Sequence, residues 1–218
     1  MSELIEQAKR AKGASLILAS IGSEQKNRAL IYLEDSIREN KKKILEENKK
    51  DIEKANHLSA SLVKRLILDN KKIDEIIKII ESVKSLEDPI GRIIEKTELD
   101  KGLILEKITV PIGLIASIFE SRPDALIQIS SLSIKSGNAV LLKGGSEASN
   151  TNKMLAGLVR ASLKKANIPQ ESVQLLETRG EVKDLLGMHD FVDLIIPRGS
   201  NKFVRYIQEN TKIPVLGH

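Results

Sequence analysis

Val110-Pro111-Ile112-Gly113-Leu114-Ile115-Ala116-Ser117-Ile118 runs directly into Phe119-Glu120-Ser121-Arg122-Pro123. The first part is apolar and rich in β-branched residues, which predicts a buried parallel strand over 110–118. A glutamate, a serine and an arginine then arrive together at its carboxyl end, where open α/β sheets bind their ligands. The pattern recurs twice. Asn138-Ala139-Val140-Leu141-Leu142 leads into Lys143-Gly144-Gly145-Ser146-Glu147, and Asp193-Leu194-Ile195-Ile196 leads into Pro197-Arg198-Gly199-Ser200-Asn201. Each strand ends in a basic residue accompanied by Gly, Ser or Pro. Neighbouring strands of one sheet would put these turns on one rim, suited to an anion.

Working outward, strands alternate with helices expected at 124–136, 147–166, 180–187 and 200–210, which predicts an α/β fold with a parallel doubly wound sheet. Ile213-Pro214-Val215-Leu216 reads as a further strand. The chain stops just after it, at Gly217-His218, and the expectation is a polypeptide cut short there. Upstream, Arg92–Thr97 and Leu103–Ile108 flank the turn residues Asp100-Lys101-Gly102, predicting a β-hairpin within 91–108. Residues 1–90 read as helices. Ile5, Ala8, Ala11, Ser15, Leu16 and Ala19 mark one apolar face, with a second helix after an N-cap at Ser23. A third passes through Ile44, Leu45, Asn48 and Ile52, and another through Ile73, Ile76, Ile77, Ile80 and Val83. The division is thus a helical part (1–90), a hairpin (91–108) and a sheet-bearing part (109–218).

With 218 residues, 41% hydrophobic and 30% charged, the chain is long enough to bury a core. Aromatic residues make up 2%, so that core must be built from Ile, Leu, Val and Ala. The net charge of +5 comes from 35 basic and 30 acidic residues mixed along the chain, a solvated surface and not a basic stripe. With few stacking aromatics as well, nucleic acid is not an expected partner. No apolar run reaches membrane-spanning length, no signal-peptide pattern opens the chain, and a cytoplasmic location is expected. There is no cysteine, which excludes disulfides, thiolate metal sites and a cysteine nucleophile within these residues.

The turn residues each admit a plain reading. Gly144-Gly145 either lets backbone N–H groups approach a phosphate or ribose, with Lys143 reaching the same ligand, or merely supplies positive φ between strand and helix. Ser200 either helps hold an anion or only caps a helix. Glu120 and Arg122 either meet substrate or form an ion pair with each other. His57, His189 and His218 lack metal-ligand spacing. His57 reads as exposed and His189 as a loop residue, while His218 ends a strand on the ligand rim and is either functional or a chain-end histidine. Neither G-x-G-x-x-G nor the phosphate loop G-x-x-x-x-G-K-[ST] is present.

The same three segments resemble the γ-glutamyl phosphate reductases (glutamate-5-semialdehyde dehydrogenases) of the aldehyde dehydrogenase superfamily. They are Phe119–Ala125, Lys135–Ala148 and Asp193–Lys202, and Thr211–His218 fits as well. The likeness covers nearly the whole chain and is close to the reductase half of plant-type bifunctional pyrroline-5-carboxylate synthase. It implies a Rossmann-like cofactor domain without the usual glycine fingerprint. It also implies NADPH-dependent reduction of γ-glutamyl phosphate to glutamate-5-semialdehyde, with release of phosphate, on the route to proline.

By position, Lys143 and Ser146 then match the turn that holds the adenine ribose, Ser146 leaving room for the 2′-phosphate of NADP. Gly144, Gly145 and Glu147 belong to that turn. Gly199 and Ser200, with Pro197 and Arg198, match the turn near the pyrophosphate. Ser121 falls at the oxyanion position, Glu120 and Arg122 become substrate candidates, and His218 falls near the superfamily's general base. No metal is implied. The hairpin matches the superfamily's subunit-pairing element, so a homo-oligomer is expected of the intact enzyme. The departure is the nucleophile: the family's cysteine lies in a separate domain beyond the Gly-His. This chain is therefore expected to be inactive alone, as the cofactor-binding portion. The alternative is a free-standing nucleotide-binding module without catalysis.

Overall fold

The computed structural model describes residues 3–56, 58–177 and 181–217. Five helices open the chain: α1 (Glu3–Ala19), α2 (Ser23–Glu39), α3 (Lys41–Glu53), α4 (Ala60–Leu66) and α5 (Asn70–Ser85). The strands β1 (Ile93–Asp100) and β2 (Leu103–Ile108) form an antiparallel hairpin, with Gly102 at φ 79° in its turn. Then β3 (Leu114–Ile118), α6 (Pro123–Lys135), β4 (Ala139–Lys143), α7 (Ser149–Lys165), β5 (Val173–Leu175), α8 (Glu181–Leu186), β6 (Leu194–Pro197) and α9 (Asn201–Glu209) alternate. The four later strands pair in parallel in the order β5-β4-β3-β6.

The sheet is buried on both faces. Ile115, Val140, Leu142 and Val173 face a core shared with α2, α5, α6 and α7. Leu114, Ala116, Ala139, Leu141 and Ile195 face the other way, against α1 and α9. Alternation along each strand sends successive side chains to opposite layers, so both positions of the period must be apolar. The N-terminal helices are part of this packing: α1 brings Leu4, Ala8 and Ala11 onto the sheet.

Several expectations are corrected. In α1 the buried stripe is Leu4, Ala8, Ala11, Ala14, Ser15 and Leu18, whereas Leu16 is 70% exposed and Ala19 also faces outward. A face drawn through Leu16 and Ala19 is rotated away from the small residues that let the helix approach the sheet. The strand expected over 110–118 begins only at Leu114. Pro111 has no N–H for a ladder, Gly113 sits at φ 124°, and Val110 and Ile112 are exposed. Ser23 is the first residue of α2, and Gly22 takes the cap position without a side-chain bond. Instead of one helix over 147–166, a 3-10 turn (Ser146–Ala148) precedes α7. At the chain end, Val215 forms a single parallel bridge to Ile195, beside β6. The strand β5 and helix α4 were not anticipated. Among the described residues no helix is long and apolar enough to cross a membrane.

Candidate functional site

The register sets the site. Ile118 pairs with Lys143 on one side and Pro197 on the other, so three turns leave three adjacent strands at one level. The backbone carries the pairing one step further: Phe119 N–H donates to Lys143 C=O at 3.0 Å and Arg198 N–H to Ile118 C=O at 2.7 Å.

After β3 the chain turns sharply. Ser121 lies at φ 45°, a left-handed conformation uncommon for a side chain other than Asn, Asp or Gly, and it is only 2% exposed. Pro123 then starts α6, where a missing N–H does no harm. Arg122 is exposed and pairs with Asp124 (Nη2–Oδ2 2.9 Å), not with Glu120 as the ion-pair reading supposed. Two residues on, Asp124 lies in the same first helical turn and is the nearer carboxylate.

After β4, Lys143 is 5% exposed and its ammonium donates to Gly144 C=O at 2.8 Å. Neither following glycine is at positive φ, so supplying φ is not their role. A Cβ on Gly144 would strike the Asn152 amide and the Phe119 ring, and one on Gly145 would strike the Glu147 carboxylate. Both are glycines of close approach. Glu147 Oε1 accepts the N–H and the Oγ–H of Ser121, each at 2.6 Å, tying the second turn to the first.

Asp51 reaches in from α3 and caps the start of α7. Its Oδ1 accepts Asn150 N–H (3.0 Å) and Nδ2–H (2.7 Å), and its Oδ2 accepts Thr151 N–H (2.8 Å) and Oγ1–H (2.6 Å). Asn48, on the helix that the sequence runs through Ile44, Leu45, Asn48 and Ile52, is buried as a polar bridge. Its amide donates to Leu66 C=O and Thr151 Oγ1 and accepts Leu68 N–H. The third turn is built differently. Ser200 caps α9 by accepting Phe203 N–H at 3.3 Å, and Gly199 leaves room for the Phe203 ring. Arg198 and Ser200 are exposed.

A cleft of about 450 Å³ opens among these turns. Glu120, Ser121, Lys143, Gly144, Gly145, Ser146 and Glu147 line it, joined by Leu58, Leu62, Val182 and Phe203. Arg122 is not part of its wall, and Pro197, Arg198, Gly199 and Ser200 stand on the adjoining strand end, linked through Phe203. The four apolar wall residues escaped the sequence reading. One signal was available: Phe119 and Phe203 are two of only three phenylalanines, and each follows or sits one turn beyond a strand-end motif. His57 and His218 lie outside the described residues, as does Gly180, where a helix was expected to begin. His189 is in an exposed turn beside Asp190. Among the described residues no metal-binding cluster is found.

The aldehyde dehydrogenase family model matches residues 2–215. Over 219 residues the chain is 53% identical to a γ-glutamyl phosphate reductase of Pelotomaculum thermopropionicum, covering 99% of this chain and 50% of that one. The crystal structure of a γ-glutamyl phosphate reductase from Thermotoga maritima superposes with a TM-score of 0.95 at 38% identity, over 99% of this chain and 53% of the other. One from Saccharomyces cerevisiae gives 0.94 at 43% identity, over 100% and 56%. The chain spans about half the length of the curated relatives it matches. A Methanocaldococcus jannaschii glyceraldehyde-3-phosphate dehydrogenase complexed with NADP shares the fold at 17% identity, with a TM-score of 0.71.

Proposed function

Because the chain belongs to the aldehyde dehydrogenase family, we propose that it forms the NADP(H)-binding part of a γ-glutamyl phosphate reductase. The reaction is reduction of γ-glutamyl phosphate to glutamate-5-semialdehyde with release of phosphate, a cytoplasmic step towards proline. The observation that carries the reading is the register that brackets Ile118 between Lys143 and Pro197. The turns after β3 and β4 thereby line one cleft with Ser121 and Lys143, and the turn bearing Arg198 leaves the adjoining strand at the same level. Bound NADPH supplies the hydride.

The residues present fit such a group. Leu58, Leu62, Val182 and Phe203 offer apolar walls for a flat ring, and Lys143 and Ser146 on the same cleft offer an ammonium and a hydroxyl that would suit ribose hydroxyls and a 2′-phosphate. Two helix starts compete for the pyrophosphate, and their chemistry separates them. Asp51 fills the start of α7 with a carboxylate, which repels a second anion. The start of α9 carries a serine cap and exposed Arg198, so Arg198, Gly199 and Ser200 are its holders. Glu120 and Arg122 flank the substrate side. Ser121 would donate to an oxyanion only after giving up its bond to Glu147. These 218 residues contain no cysteine, so the thiolate that attacks the acyl phosphate would come from outside them.

We attribute subunit pairing in the intact enzyme to the hairpin. Both its strands are exposed along their whole length, with Ile94, Leu99, Leu103 and Leu105 on show, and an isolated hairpin is marginal in water.

Titration calorimetry of this chain with NADPH tests the first reading: saturable binding, tighter than for NADH, is expected. Absence of heat at concentrations well above the millimolar range would sink it. Turnover of γ-glutamyl phosphate by the chain alone should stay at background, and activity there would refute the division of labour.

A further inference from the structure

Glu147 follows the nucleotide turn, yet its carboxylate is directed at the neighbouring one. Its Oε1 takes both hydrogen-bond donors of Ser121, backbone and hydroxyl, at 2.6 Å each. Ser121 is buried and left-handed, a state that a serine keeps only where its surroundings hold it. Gly145 completes the unit, because any side chain there would overlap the Glu147 carboxylate. The three residues come from two turns and explain one another. Ser121 is held by Glu147, and Glu147 has room because position 145 lacks a Cβ.

We infer that Glu147 is a positioning residue that locks Ser121 and sets its hydrogen-bonding sense toward the cleft. A hydroxyl has one proton and two lone pairs. With that proton given to Glu147, the Ser121 oxygen offers the cleft lone pairs only. In this state Ser121 recognises a ligand N–H or ammonium, not an anion, and release of Glu147 is what turns it into a donor. The inference deepens the reductase reading, on which its naming of a substrate turn rests, while the lock itself is independent of any ligand.

The test is a mutant cycle on the ligand-free chain, read by urea unfolding and by amide exchange at Ser121. Gly145→Ala should lower the urea midpoint of the parent clearly, and should be close to neutral in a Glu147→Ala background, where the obstructing carboxylate is gone. Equal shifts in both backgrounds would overturn the inference. Should Gly145→Ala fail to fold, exchange decides. Glu147→Ala should speed exchange of the Ser121 N–H about tenfold or more, and Glu147→Gln, which keeps an acceptor oxygen, should restore protection to within a few-fold of the parent. A Ser121 amide equally protected in the parent and in Glu147→Ala would remove Glu147 from this role. Both measurements omit nucleotide, so a failure of NADPH binding registers separately.

Discussion

The two ends of the parallel sheet carry similar residues and use them differently. Near the amino ends, Asp193 Oδ2 accepts Leu114 N–H at 2.7 Å, and both its oxygens bind the Lys12 ammonium. Gly113 N–H donates to Asn138 Oδ1, and nearby Lys26 reaches Asp88 at 2.7 Å while donating to the Lys135 C=O. Lysine, aspartate, asparagine and glycine there close on one another. At the carboxyl ends lysine, glutamate, serine and glycine also bond among themselves, but around a cleft of about 450 Å³. Residue type does not separate a structural cluster from a site. What marks the carboxyl end is that Ser121, Lys143, Gly144, Gly145 and Glu147, bonded or packed against one another, all line the same cleft.

The largest effect is expected at the amino end, from Asp88→Asn. Burial alone would raise the Asp88 pKa, but hydrogen bonding to the Lys26 ammonium and to Ile90 N–H outweighs it and holds the carboxyl below the usual range. A carboxyl depressed on folding stabilises the protein above its unfolded pKa, and that contribution is lost as pH falls through the folded value. Asp88→Asn leaves Lys26, which is almost wholly buried, without its counter-charge. We expect a loss of about 3 kcal/mol near neutral pH. The gap to the parent should shrink as the solution is acidified below the ordinary carboxylate range. Lys135, whose pKa burial pushes down, acts only on the alkaline side and does not blur this window. A gap that stays constant with pH would mean that Asp88 is not the titrating partner.

Gly113→Ala should come next. Its φ of 124° is strained for alanine, and a Cβ would displace Asp193 from Leu114 and Lys12. Strain of this kind costs about 1–3 kcal/mol, and a loss of about 2 kcal/mol or more is expected from the urea midpoint. NADPH affinity should hardly change, because the change is at the far end of the sheet. Weakened binding at full folding would break the proposed separation of the two ends.

Asp51→Ala sharpens the comparison from the cleft end. It removes the acceptor for four donors at the start of α7. A cap of this kind contributes about 1–2 kcal/mol. Unfolding should shift by that amount, and the freed helix start should no longer exclude anions, so inorganic phosphate should protect the variant more than the parent. Equal protection would remove the argument that α7 is closed to the pyrophosphate.

Much of this was legible in the residues, and the parts that were not have physical causes. Strands β3 and β4 announced themselves because each is buried on both faces and so forms a continuous apolar run, and β6 did so with one face buried and the other half-buried. Lys143, Gly144, Gly145, Ser146 and Glu147, adjacent in sequence, line one cleft. The strand β5 has only Val173–Leu175, too short for any period to emerge. The partner of Glu147 was invisible because Ser121 lies in another turn, joined through sheet register alone. The part played by Asp51 was hidden for the same reason: an acidic residue on a charged helix looks solvated until its partners across space are known.

Lys143→Ala should give the smallest energetic change and the most specific one. The Lys143 side chain is buried and its ammonium donates to Gly144 C=O. A held charge donates to a ligand at a smaller ordering cost than a free lysine would, so its removal should raise the NADPH dissociation constant about tenfold or more. Lys143→Arg should rescue only in part, since a planar fork presents its donors differently from the ammonium held at Gly144 C=O. Global stability should fall less than in the amino-end variants, because the Gly144 C=O it releases borders a cleft that can hydrate it. An unchanged affinity would leave the carboxyl end with no more claim to a ligand than the amino end.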